Sequence, residues 1–128
     1  MRIIILAIGQ SRTTPEATLV QDYCTRAQRT GQAVGLTQIA VHECDKKKNT
    51  NPTTQQQDEH KVLSDYLAGA QGLVVALDET GKNMTSRAFA NQLQGWLDEA
   101  VPQVTFVLGG ADGLHPDMRQ RADMVLAL

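Results

Sequence analysis

The chain has 128 residues, enough for one domain whose core needs no disulfide or metal to hold it. With 41% hydrophobic and 20% charged residues it reads as globular, and a net charge of −2 excludes a protein that grips nucleic acid by overall charge alone. No apolar run approaches the ~18–20 residues of a membrane span, and the longest, Ile3 to Ile8, is too short for a secretory signal, so a cytoplasmic location is expected.

The first element is the isoleucine-rich run from Arg2 to Ile8, closed by Gly9, which suits a strand covered on both faces. Thr14-Pro15 opens a helix as N-cap and first helical residue, with Leu19, Val20, Tyr23 and Ala27 at helical spacing and Gly31 as the expected stop. Alternation between Gly35 and Glu43 predicts a second strand. Glu43 to Gln57 has no apolar residue larger than cysteine and reads as a long loop carrying Lys46-Lys47-Lys48. A helix is expected from Asp58, with Val62, Leu63, Tyr66, Leu67 and Ala70 on one face and Gly72 beyond its end.

Leu73 to Leu77 is the third expected strand, followed by a polar turn over Asp78 to Lys82. Thr85 or Ser86 caps a helix whose stripe is Phe89, Leu93, Trp96, Leu97 and Ala100, a core-facing pattern. Val104 to Leu108 is the fourth strand, Pro116 starts a short helix, and Met124 to Leu128 is the fifth strand. Strands alternating with helices predict an α/β fold, a mostly parallel five-stranded sheet with helices on both faces.

Ligands in such sheets bind beyond the carboxyl ends of strands. Three ends carry candidate residues: Gly9-Gln10, Leu77-Asp78-Glu79, and Gly109-Gly110-Ala111-Asp112-Gly113. Spacing alone leaves the glycine turn divided between a ligand seat and a tight turn needing positive φ. Asp78 and Glu79 read as a solvated turn before a catalytic pair, and Asp112 and His115 as turn and cap before a polar dyad. The three lysines read as a solvated face, with phosphate contact as the alternative. The two cysteines, Cys24 and Cys44, lack metal or redox spacing and read as free thiols; the three histidines show no ligand spacing, so no metal is expected. No nucleophile motif is present.

Ile3 to Gly9, the segment Leu77-Asp78-Glu79-Thr80-Gly81-Lys82 with Thr85-Ser86 and Phe89-Ala90, and Phe106 to Leu114 together resemble the ribosomal RNA large subunit methyltransferase H family, of the SPOUT or α/β-knot methyltransferases. The likeness runs through essentially the whole chain. It implies a single domain over residues 1–128 that binds S-adenosylmethionine in a trefoil knot. It also implies a homodimer acting on ribosomal RNA in the assembled ribosome, at N3 of a pseudouridine. By that resemblance Leu77, Gly109 and Leu128 match cofactor-binding positions, while no catalytic residue is assigned. The family continues past the last strand into a loop bearing Thr-Leu-Pro-His and a helix. Those pieces complete the knot, much of the pocket and the dimer face, so the knot is expected to be incomplete within these 128 residues. Three readings follow: an active methyltransferase, a shortened and catalytically inactive domain that binds S-adenosylmethionine or only dimerises, and a flavodoxin-like nucleotide-binding domain.

Overall fold

The computed structural model describes residues 1–9, 13–44 and 51–128. Five strands and four helices alternate along the chain: β1 (Arg2–Ile8), α1 (Pro15–Gln32), β2 (Gln38–Cys44), α2 (Pro52–Leu67), β3 (Leu73–Asn83), α3 (Ser86–Asp98), β4 (Gln103–Leu108), α4 (Pro116–Arg121) and β5 (Met124–Ala127). The strands form one sheet in the order β2-β1-β4-β3-β5, and every pairing is parallel. The expected α/β architecture is therefore present. The lysine triplet and Gln10-Ser11-Arg12 lie outside the described residues.

Side-chain alternation along the central strands feeds two cores. Leu6, Val74, Ala76 and Val107 point to one face, where Leu63 and Leu67 of α2 and Met118 of α4 cover them. Ile3, Val75, Val104, Phe106 and Leu126 point to the other, where Trp96 of α3 is buried and Phe89 and Leu93 pack alongside. Phe89 meets Phe106 edge to face at 5.9 Å, so the expected stripe on α3 does serve the core. Helix α1 sits on this second side over β2, tied by Gln28, whose side chain accepts from Ile39 N (2.6 Å) and donates to Thr37 O (3.2 Å).

Element boundaries depart from the sequence expectation at four places. Helix α1 runs through Gly31 because Leu36 packs on that residue: a Cβ there would lie 2.9 Å from the Leu36 Cβ. The chain turns instead at Gly35, with φ +100°. Helix α2 begins at Pro52 rather than Asp58, capped by Asn51, whose Oδ1 accepts from Thr53 N and Thr54 N. Helix α3 stops before Ala100, which takes φ +59°, a left-handed conformation that disfavours a Cβ.

The fourth departure is the largest. Residues Asp78 to Lys82 are not a free turn, because β3 continues to Asn83. Leu126 of β5 pairs with Leu77 and again with Lys82, and Ala127 pairs with Asn83. A strand residue has one ladder neighbour on each edge. The first half of β3 therefore runs along one edge of β5, and Lys82-Asn83 along the other. Residues 78–81 arch between them. Gly81 makes the close approach possible, since a Cβ there would lie 2.7 Å from the backbone N and C of Leu126. Asp123 extends the attachment: its N–H donates to Val74 O and its carboxylate accepts from Val74 N, both at 2.8 Å.

Candidate active site

Parallel pairing puts the carboxyl ends of all five strands on one side of the molecule, and the central ones are in register. Leu77 lies opposite Leu108 on β4 and opposite Leu126 on β5. Of three residues singled out from the sequence, Leu77 is the last of β3 paired with β4, Gly109 follows the end of β4 and Leu128 follows the end of β5. An apolar groove of about 520 Å³ opens beside these tips, on the α1 and α3 face. Its walls include Ile5, Ala7, Leu77, Phe89, Leu93, Leu108 and Leu126, with Val20 of α1 and Glu43 of β2 on the far side. Leu77 is half-buried in this wall, whereas Leu128 borders the groove while 92% exposed. A second hollow of about 550 Å³ lies between α1 and β2, lined by Thr18, Gln21, Cys24 and Glu43, away from the glycine turn.

Gly109 is not part of the groove wall. It faces its own turn: a Cβ there would lie 2.7 Å from the Gly113 carbonyl carbon and 2.9 Å from Leu114 N. Gly110 and Gly113 form an isolated antiparallel bridge, and Gly113 takes φ +76°. The turn is pinned from three directions. Leu114, 2% exposed, plugs into the α2 and α4 core. Gln56 of α2 donates to Asp112 O (3.0 Å) and Leu114 O (3.4 Å). Arg119 of α4 also donates to Leu114 O, at 3.4 Å. Gly9 takes φ +106°, its N–H donates to Cys44 O at 2.7 Å, and no described residue beyond its chain neighbours lies within 4 Å of where a Cβ would stand.

Asp78 is not the solvated turn residue expected. Its side chain is 8% exposed and pairs with Arg119 at 3.3 Å. The other carboxylate oxygen accepts from Thr80 Oγ1 (2.6 Å) and Thr80 N (2.9 Å). These Thr80 hydrogen bonds, with the Arg119 guanidinium, hold the carboxyl below the usual aspartate range against the opposing effect of burial. Asp78 thereby ties the arch of β3 to α4.

Two further features gave no sequence signal. Glu59 of α2 is 3% exposed and lies directly against Gly110, where a Cβ would come within 2.7 Å of Oε1. Its Oε1 accepts from Gln55 Nε2 at 3.2 Å, while Oε2 is buried without a hydrogen-bond partner. His60, next in α2, stacks on His115 with centroids 4.7 Å apart. His115 serves as the cap of α4, its Nδ1 accepting from Asp117 N at 3.1 Å, in line with the cap role expected for it. The rings are 55 positions apart in sequence, so histidine spacing could not disclose them.

The site as a whole is an apolar groove at the strand tips on the α1 and α3 face, with the glycine turn that follows β4 tied to α2 and α4 on the other face. Such a place suits a flat apolar moiety in the groove with polar groups reaching exposed backbone at the tips. No described helix is long and apolar enough to cross a membrane. A family model described as "Predicted SPOUT methyltransferase" matches residues 1–128. The chain is similar to the Ribosomal RNA large subunit methyltransferase H of Ruegeria pomeroyi, 41% identical over 127 residues, 99% of this chain and 78% of the relative. The Rhizobium etli protein of the same name is 39% identical over 128 residues, 100% of this chain and 79% of the relative. That of Rhodopseudomonas palustris strain BisA53 is 36% identical, covering 97% and 77%. With a whole-chain family match and relatives at this identity, the chain belongs to the SPOUT methyltransferases, within the ribosomal RNA large subunit methyltransferase H family.

Proposed function

We propose that this protein is a ribosomal RNA methyltransferase that takes its methyl group from S-adenosylmethionine and delivers it to N3 of a pseudouridine in the large-subunit RNA of the assembled ribosome. The observation carrying this reading is the convergence of Leu77, the Gly109 turn and Leu128 at neighbouring strand tips beside an apolar groove, in a chain of this family. When bound, S-adenosylmethionine supplies an electrophilic methyl on a sulfonium. Leu77, Leu108 and Phe89 would wall the adenosine. Backbone groups at Gly109 and at the strand tips would orient it by hydrogen bonds.

No side chain at the groove stands out as a base for N3, and the reading assigns no catalytic residue. Positioning of the acceptor nitrogen in line with the methyl and exclusion of water would carry the rate. A ribosomal substrate fits a cytoplasmic location and the modest net charge, since the RNA surface is presented by the ribosome itself. A homodimer fits the apolar residues that α1 leaves at the surface, Leu19, Val20 and Tyr23, of which Val20 lines the groove. Residues 1–128 would act as a single methyltransferase domain.

Titration calorimetry with S-adenosylhomocysteine tests the cofactor step: heat at one site per chain is expected, and none would overturn the cofactor reading. Methylation of ribosomes that lack the mark tests the rest. Transfer to the pseudouridine is the expected result, whereas binding without transfer would favour the inactive, cofactor-binding or dimerising domain.

A further inference from the structure

We propose that His60, His115 and Asp117 form a site for one divalent transition-metal ion of the zinc class, clamping α2 to the start of α4. Each of the three residues offers one ligand atom, and these atoms lie within 4.8 Å of one another. Ligands around such an ion stand at ~2.0–2.2 Å from it, so the two rings, stacked at 26° in the free site, turn out of their stack to bring both in-plane lone pairs onto one ion. Two imidazoles and one carboxylate are a donor set that zinc accepts, leaving an open position for water.

The buried ring supplies the second observation. His60 Nδ1 is buried and has no hydrogen-bond partner, so the fold leaves that atom's bonding capacity unused. The other nitrogen, Nε2, has only a long contact with Ser64 Oγ, at 3.4 Å. Asp117 supplies negative charge 3.7 Å from His115 Nδ1. Binding would exchange the Asp117 N to His115 Nδ1 cap bond for a metal bond, because that nitrogen cannot accept a proton donor and a metal together.

The position gives the ion a consequence. His115 follows directly on Leu114, the residue that anchors the glycine turn, and Glu59 beside His60 abuts Gly110. A bound ion would therefore stiffen the turn at the β4 tip without touching the groove.

Titrating untagged, full-length protein with Co²⁺ alone reads the site through its visible ligand-field bands. The expected result is one ion per chain, intensified bands of a low-coordinate nitrogen and oxygen site, and competition by Zn²⁺. His60→Gln and His115→Asn should each weaken binding by at least about tenfold, by the scale of lost metal-site interactions. His115→Asn keeps a good helix cap, so the fold is preserved in that variant. His42→Ala should bind like the parent. Three results would overturn the proposal: no intensified bands at millimolar Co²⁺, unchanged binding in both ring variants, or a near-ultraviolet thiolate band placing the ion at a cysteine.

Discussion

The two faces of the sheet are built from alternate residues of the same strands, and both hold a buried core, yet their helices cover them unequally. On the α2 and α4 side, Leu6, Ala76, Val107 and Met118 are all 0% exposed. On the α1 and α3 side, Ile5, Ala7, Val41 and Phe89 are only partly covered and line an open groove. The strands do not make this difference; the helices do. Helix α2 drives Leu63 and Leu67 into the sheet, whereas the only buried residue of α1 is Gly31. Helix α1 is held by local devices instead: the Thr14 cap on Ala17 N, the Asp22–Arg26 pair, and the Gln28 clamp on β2. The α2 and α4 face is closed along its length, whereas the other is closed by α3 over Val75, Val104 and Leu126 and left open under α1, where apolar surface remains for a ligand or partner.

The contrast can be broken by measuring stability on both sides. Met118→Ala should cost about 2–5 kcal/mol in denaturant unfolding, since it empties a fully enclosed site. A loss below about 1 kcal/mol would mean the sealed face is looser than described. Gly81→Ala should cost about 1–3 kcal/mol, because its methyl must push the Leu126 backbone aside. Amide exchange should then show β5 opening first, and uniform protection would count against the arch. Asp78→Asn should cost about 1–3 kcal/mol at neutral pH through lost charge-assisted hydrogen bonds to Thr80 and Arg119. Because the folded carboxyl titrates below its unfolded value, this contribution is present above about pH 4 and disappears as pH falls through the folded value. The parent and variant unfolding curves should converge in acid.

His60 sharpens the same face by titration. Its proton affinity is lowered in the fold, so its contribution to stability is complete above about pH 6.5 and is lost as pH falls from there through the folded value. Thermal melts of the parent should drop over that window, and His60→Gln should flatten the profile. The smallest effect belongs to the open face: Leu19→Ala, at a side chain 54% exposed, should change stability by no more than about 0.5 kcal/mol. A large loss there would show that α1 is packed after all, in the free chain or in an assembly.

The order of elements was readable because both faces of the sheet carry apolar strands and because Thr14-Pro15, Thr85 and Pro116 mark helix starts. The start of α2 was hidden for a specific reason. Its first buried positions are Gln55 and Glu59, polar residues that hydrophobic periodicity ignores. Asn51-Pro52 was the available signal, the same cap-and-proline pair that marked α1. The second half of β3 was hidden because Asp78 to Lys82 has turn composition, and only its partner β5, distant in sequence, makes it a strand. The assignment of Leu77, Gly109 and Leu128 to a cofactor rests on resemblance rather than pattern. The groove walls Ile5, Ala7 and Phe89 needed the sheet order before they could be brought together.

The arch of β3 bears on self-association. A terminal strand normally offers a row of unpaired amides and carbonyls on which another chain can build, the starting point of fibrils. Here Lys82 and Asn83 occupy that outer row beside Leu126 and Ala127, so the molecule supplies its own blocking strand. The border at β2 has no such guard among the described strands. Unwanted polymerisation of this protein should therefore begin there, and a charged or proline substitution facing outward on β2 is the place to suppress it.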